Sequence, residues 1–180
     1  MKTNKNKAYI IILLIAALGA VYIVYRSYTR PELPRVKIKP IPSQELITLY
    51  FYDPNTDTLK PEQRMVLTTT DILYKCRMII SGLERGSMTG LTTPIPGDVK
   101  VNNASWQGQG VLHIDLSGNI ISEIPEGSSA EITTIYSIVN SLAKNINGLN
   151  AVQITINGKR LETLKTHIDI AQPISPDYTK

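Results

Sequence analysis

The sequence predicts an α/β domain, a two-layer sandwich with two helices on one face of a mixed sheet, carried behind one transmembrane helix. Three observations predict it. Residues 8–25 (AYIIILLIAALGAVYIVY) contain no charge. Short β-branched and apolar runs alternate with two stretches of helical periodicity, in the order β-α-β-β-α-β(β). Each helical stretch has one apolar stripe, which suits packing on a single sheet.

The apolar run covers about 27 Å as a helix, enough for a thin hydrocarbon core. Tyr9 sits at one end and Tyr22 and Tyr25 at the other, where an apolar ring with a polar hydroxyl suits the membrane interface. Lys2, Lys5 and Lys7 precede the run, and Arg26 and Arg30 follow it. Positive charge alone therefore does not orient it. An N-terminal apolar segment behind lysines enters export machinery as a signal does, which places the C-terminal domain outside. Ala17-Leu18-Gly19 resembles a cleavage site, but cleavage would leave residues 21–25 as an exposed apolar tail, so the expectation is an uncleaved anchor. The expected organisation is a basic cytoplasmic tail (1–7), a transmembrane helix (8–25), a proline-rich basic linker (26–44), an extracytoplasmic domain (45–174) and a short tail (175–180). Pro31, Pro34, Pro40 and Pro42 favour an extended, semi-rigid linker.

The net charge of +4 divides unevenly. Residues 1–43 carry eight Lys/Arg and one acidic residue, a net +7, and the remainder carries eleven against fourteen, a net −3. The folded part is mildly acidic, which argues against a nucleic-acid partner. The basic residues beside the apolar run suit anionic lipid instead.

Residues 46–52 (LITLYFY) read as a strand ended by Asp53-Pro54-Asn55. Residues 68–83 read as a helix with Thr68 as N-cap and Ile72, Leu73, Cys76, Ile79, Ile80 and Leu83 as its stripe. Residues 99–106 and Val111–Leu116 read as strands joined by Gln107-Gly108-Gln109-Gly110. Leu112, Ile114 and Leu116 face one side of the second strand, with His113 and Asp115 on the other. Ser128 and Glu131 form an S-x-x-E capping box at the start of the second helix, the cap contributing about 1 kcal/mol. Ile132, Ile135, Tyr136, Ile138, Val139, Leu142, Ala143 and Ile146 make its stripe, and Asn147-Gly148 ends it. Ala151–Ile156 is a strand, Asn157-Gly158 a type I′ turn, and residues 161–164 the returning chain.

Groups that carry chemistry are few. His113 and His167 are the only histidines, and no paired ligand spacing accompanies them. His113 and Asp115 share a strand face but lack a third ligand, so they read as a surface pair. Asp53-x-Asn55-x-Asp57 begins like a calcium loop, yet Thr58 stands at the glycine position and Arg64 at the final glutamate position. It reads as a polar turn. Cys76 lies in an apolar helical pattern and reads as a small buried hydrophobe. No catalytic residue, metal or cofactor is assigned.

Four stretches resemble the GerMN domain of sporulation and spore-germination proteins of the GerM type: LYFYDPNTDTLKPEQRMV from Leu49, GLTTPIPGDVKV from Gly90, VLHIDLSGNI from Val111, and GSSAEITTIYSIVNSL from Gly127 with AVQITINGKRLETL from Ala151. HIDIAQPI from His167 closes the match. The resemblance implies a non-enzymatic envelope domain, similar to ring-building modules of secretion-type assemblies and to proteins supporting the channel between mother cell and forespore. It implies envelope proteins or a second copy of the chain as partners, and it carries no catalytic residues. Family members of this type are usually lipoproteins with two copies of the domain, whereas this chain has one copy behind a transmembrane segment. Leu91, Pro94, Pro96 and Trp106 are the candidate partner contacts, from loop position and from the family's recurring motif. Trp106 reads either as an edge anchor of the core or as an exposed contact. An envelope binding module for cell-wall glycan or another small ligand, with Trp106 and nearby tyrosines lining a small cleft, is the alternative. A hydrolase would need His113 and Asp115 to meet Ser117 or Ser105.

Overall fold

The structure, a computed structural model, describes residues 3–29, 43–125 and 127–180. It divides into two units, Met1–Pro40 and Ile41–Lys180.

In the first unit α1 spans Thr3–Tyr28, starting before the apolar run and ending after it. Lysine, asparagine and arginine do not interrupt a helix, so residues 8 and 25 bound the apolar stretch rather than the helix. Lys7–Tyr28 is long and apolar enough to cross a membrane, and its apolar side chains, such as Leu13, Leu18 and Ile23, are exposed. Most of the expected proline-rich linker, residues 30–42, lies outside the described residues.

The second unit begins with an antiparallel hairpin, β1 (Gln44–Asp53) and β2 (Thr58–Leu67). There follow α2 (Ile72–Glu84), β3 (Val101–Trp106), β4 (Val111–Leu116), the short α3 (Asn119–Glu123), α4 (Ser128–Asn145) and β5 (Ala151–Ile156). The α/β class, the two long helices and the mixed sheet agree with the sequence. β3 and β4 are antiparallel, and β4 and β5 are parallel. The difference is in the first strand. β1 does not join the mixed sheet, because β2, which the sequence hid, pairs with it to make a second, two-stranded sheet.

β2 reads TLKPEQRMVL. Its proline and run of polar residues argue against a strand. Pro61 is tolerated because it stands opposite Tyr50. There the amide of β1 points away from β2, to the Ser141 hydroxyl, so the facing position in β2 needs no N–H toward its partner.

The other edge of β1 is closed by α4. Asn145 Oδ1 accepts from the Thr48 amide at 2.8 Å, and its Nδ2 donates to the Thr48 carbonyl at 2.7 Å. Ser141 Oγ accepts from the Tyr50 amide at 2.9 Å, and Ser137 Oγ donates to the Tyr50 carbonyl at 2.6 Å. Thr92 then pairs with Tyr52 through both backbone groups. A stripe of serine and asparagine on a helix thus stands where a neighbouring strand would.

The core lies under this arrangement. Ile47, Leu49 and Phe51 of β1, Cys76, Ile79, Ile80 and Leu83 of α2, and Leu112, Ile114 and Leu116 of β4 are all buried in it. Ile135, Ile138, Val139 and Leu142 from α4 and Ile146 just after it complete it, while Ile132, Tyr136 and Ala143 of the expected stripe are only partly buried. Both faces of β5 are buried. The C-terminal segment lies along it, with Ile174 bridged to Val152 and Ile170 accepting from Gln153. Asn157 and Gly158 have φ of 50° and 74°, as a type I′ turn requires. Residues 161–164, however, form one isolated bridge, Thr163 to Asp169, and no strand. The final residues are also tied down: Asn140 and Asp177 exchange two hydrogen bonds, and Tyr178 packs on Tyr50 at 5.5 Å between ring centroids.

Both helix starts differ from the expected caps. Thr68 donates its amide to Ser43 and extends the hairpin, while Asp71 caps α2 by accepting from the Tyr74 amide at 3.1 Å. Ser128 is already the first residue of α4, after Gly127, whose φ is 129°. Glu131 makes no capping box. Its carboxylate is completely buried and accepts from the amides of Lys165, Thr166, His167 and Ile168 and from the Thr166 hydroxyl. It holds the C-terminal loop, not the helix end.

Glu131→Ala should therefore lower stability by about 3 kcal/mol or more, since several buried amides lose their acceptor at once. Ser128→Ala should stay within about 0.5 kcal/mol. Urea midpoints of the two variants measured side by side check the assignment, and the opposite ranking would restore the capping box.

Candidate functional site

The loop that holds three of the candidate contacts leaves α2 at Gly86, whose φ is 79°. An ion pair between buried Glu62 and partly buried Arg64 positions it. Arg64 bonds Glu62 through Nε at 3.0 Å and Nη2 at 2.6 Å. The same guanidinium donates to the carbonyls of Gly82 and Gly86 at the end of α2 and lies 5.1 Å over the Phe51 ring. Glu62 also accepts from the hydroxyls of Ser87 and Thr89 and from the Met88 amide. Burial opposes its charge, but these donors outweigh burial and hold its carboxyl at about 2. Glu131 is depressed for the same kind of reason, its burial outweighed by His167 and the surrounding amides.

From there the chain crosses to β3. Leu91 is partly buried against the core, Pro94 is buried and Pro96 is half-buried. The Thr134 hydroxyl donates to the Pro94 carbonyl at 2.7 Å, which fixes the loop on α4. Pro94 contributes to a recess of about 280 Å³ with Tyr52, Thr92, Pro125 and Thr133. A neighbouring hollow of about 180 Å³ shares Tyr52, Ser129 and Thr133 and adds Asp57 and Lys180. Trp106 is 45% exposed at the far end of β3. The fold thus groups Leu91, Pro94 and Pro96 and leaves Trp106 about 17 Å along the strand from Val101, where the loop enters.

His113 and Asp115 meet through Thr155, a residue the sequence reading did not include. Thr155 Oγ1 lies 3.0 Å from His113 Nε2 and 2.8 Å from Asp115 Oδ1. Asp115 is buried rather than on an open face. It accepts from Asn102 and from the Gly158 amide, which outweigh the cost of burial and lower its pKa. The Ser117 hydroxyl is engaged with Asn119 and with the Lys100 amide. Ser105 stands opposite His113 across the β3–β4 pair and is exposed. Asp115 therefore holds the Asn157-Gly158 turn. Asp53 serves its own turn in the same way, accepting from the Asn55 amide and the Thr56 hydroxyl. Cys76 is buried, and burial first and Asp71 second push its thiol up to about 12, so it stays protonated. Among the described residues no group of three or more His, Cys, Asp or Glu is placed to hold a metal.

A hairpin sealed on a polar helix stripe, beside a mixed three-stranded sheet and two packing helices, defines a GerMN-type α/β domain. The chain belongs to the family described as Germane, sporulation and spore germination, whose model matches residues 48–162. Among solved structures it is similar to the tandem GerMN domains of the sporulation protein GerM from Bacillus subtilis, at 18% identity and a TM-score of 0.57, over 81% of this chain and 50% of that one. It is similar to the first GerMN domain of the same protein at 18% identity and TM-score 0.53, over 76% of this chain and 98% of that one. A Clostridium perfringens chain described as a lipoprotein matches at 23% identity and TM-score 0.51, over 74% of this chain and 88% of that one. At these identities the likeness is one of fold. A search of curated proteins returned no match.

The Glu62 clamp sets a pH dependence. Its folded pKa lies below the ordinary value of 4.5, at about 2. The stability it contributes is present above the ordinary value and is lost as pH falls toward the folded one. The wild-type protein should lose stability steadily between these values. Glu62→Gln should be less stable at neutral pH, with a shallower loss on acidification. Thermal melts across this range test it, and parallel profiles for the two proteins would overturn it.

Proposed function

We propose that this chain is a non-catalytic assembly module of the bacterial envelope, held to the cell membrane by α1 with its N-terminus in the cytoplasm and its domain outside. Its role is in sporulation or germination, in support of a channel complex between mother cell and forespore. The observation that carries this reading is the use made of the polar side chains. Glu62, Glu131 and Asp115 are each committed to holding backbone amides of a loop or turn. His113 joins the same framework through Thr155. A family match over the folded domain and an N-terminal helix fit to span a bilayer support the reading.

One observation favours a second reading. Trp106 is an exposed indole beside the Gly108-Gln109-Gly110 turn, and an exposed aromatic face can stack on a sugar ring. Under that reading the domain holds cell-wall glycan.

In-cell crosslinking of the tagged full-length protein, followed by mass spectrometry, separates the two. Recovery of envelope or sporulation-channel proteins is the expected result. Absence of protein neighbours, with retention on purified cell wall that is lost in Trp106→Ala, would establish the glycan reading instead. His113→Ala should leave the recovered partners and the sporulation phenotype unchanged, and loss of function with the fold intact would point to chemistry.

A further inference from the structure

β2 has one edge on β1 and one edge facing away. The backbone groups of Thr48 and Tyr50 turn toward α4, so these residues and their opposite partners are the non-hydrogen-bonded pairs of the hairpin. By the same alternation, the backbone groups of Leu59, Pro61, Gln63, Met65 and Leu67 point outward. The near end of this edge is blocked. The Leu59 amide donates to the Lys180 carbonyl oxygen at 2.8 Å, and Pro61 has no amide hydrogen. The backbone groups of Gln63, Met65 and Leu67 meet no hydrogen-bonding partner among the described residues.

This open stretch borders a groove of about 490 Å³ between β2 and α2. Met65 and Leu67 form one wall, 57% and 43% exposed. Tyr74, Met78, Arg77 and Arg85 lie on the other, and no carboxylate lines the groove. Arg77 is held in place by its Nε bond to the Val101 carbonyl at 3.0 Å. The groove therefore combines outward strand groups, apolar side chains and two guanidinium groups. Strand addition uses the first for affinity and the others for selection.

We propose that this groove docks an extended segment of a partner protein in which apolar residues alternate with carboxylates. The segment adds as a strand along residues 63–67 and sets its carboxylates against Arg77 and Arg85. This deepens the assembly reading and rests on it. A second copy is the wrong occupant on charge grounds, because pairing two β2 edges would bring the arginines of both chains into one groove. A lipid surface would leave the outward amides without acceptors in register. The free edge of β3 is less suited, being bulged between Val101 and Asn103.

The test uses the full-length chain in detergent micelles and fluorescent peptides of about ten residues, long enough to cover one strand. One peptide alternates valine with glutamate, a second alternates valine with lysine, and a third is the first with a central proline. The acidic peptide should bind, and the other two should bind at least about tenfold more weakly. Arg85→Glu and Met65→Pro should each weaken the acidic peptide by about tenfold or more with an unchanged thermal melt, the second because it removes one outward amide in the way Pro61 does. No binding, or equal binding of the lysine or proline peptide, overturns the proposal. A photocrosslinker in place of Met65 in cells should capture a protein partner. Capture of a second copy, of lipid, or of residues 30–42 of the same chain overturns it. If Met65→Pro retains the envelope partners of the wild type, the groove is wrong and the assembly reading stands. If the wild type has no such partners, the assembly reading itself fails.

Discussion

The second unit depends on the requirement that a buried backbone group find a partner, and α4 is where that requirement is met. One helix supplies donors and acceptors to the free edge of β1 and to segments that lie outside either sheet. Ser137, Ser141 and Asn145 serve β1, Thr134 serves the 86–98 loop, Asn140 serves the C-terminal tail and Glu131 serves the loop at 165–168. The apolar stripe of the same helix fills the core. α4 is therefore buried on most of its circumference, and the two sheets are joined through a helix instead of through a shared strand.

This explains how irregular segments stay ordered in a small domain. A loop carries as many backbone groups as a strand but lacks a ladder to satisfy them. Here a carboxylate does so, accepting several amides at one point. Glu62 and Glu131 perform the same task at different ends of the fold, each against a desolvation cost that a neutral side chain would escape. The charge is retained because a carboxylate has acceptor capacity for four or so donors, more than an amide or hydroxyl. The consequence is an acid-sensitive framework, with both clamps weakening in the same direction of pH.

Much of the fold was legible in the sequence. β4 and β5 read to the residue, and α4 to within one, because their apolar residues recur at strand or helical spacing between clear turn signals, whatever else of each element is buried. The Asn157-Gly158 turn was legible because only a few residues adopt two positive φ values in succession. β2 was not, because an edge strand covered on one face can carry proline, glutamate, glutamine and arginine without penalty. The polar stripe of α4 was equally hidden, since serine, threonine and asparagine at helical spacing look like a solvated face. The Ser128-x-x-Glu131 pattern met the rule for a capping box and served another purpose. Pattern reports spacing, and the destination of a buried carboxylate is decided by a loop more than thirty residues away.

The candidate contacts were legible only as far as the chain's local geometry allowed. Pro94 was found as a loop residue, but its carbonyl is tied to Thr134 and its ring is buried. That makes it a support for the loop's shape more than a surface for a partner. The exposure of Met65 and Leu67 is not legible because β2 does not read as a strand, and that of Leu46, on a strand that does, depends on the same pairing. Once β2 is in place, Leu46 and Met65 stand directly opposite each other, both more than half exposed, while Ile47, Leu49 and Phe51 on the facing side are buried. A two-stranded sheet with one face in the core, one edge sealed by a helix and the other edge partly blocked has its remaining unmet capacity at residues 63–67. In a domain whose buried carboxylates Glu62, Glu131 and Asp115 hold its own loops and turns, that strip is where backbone groups, apolar surface and positive charge come together at the surface.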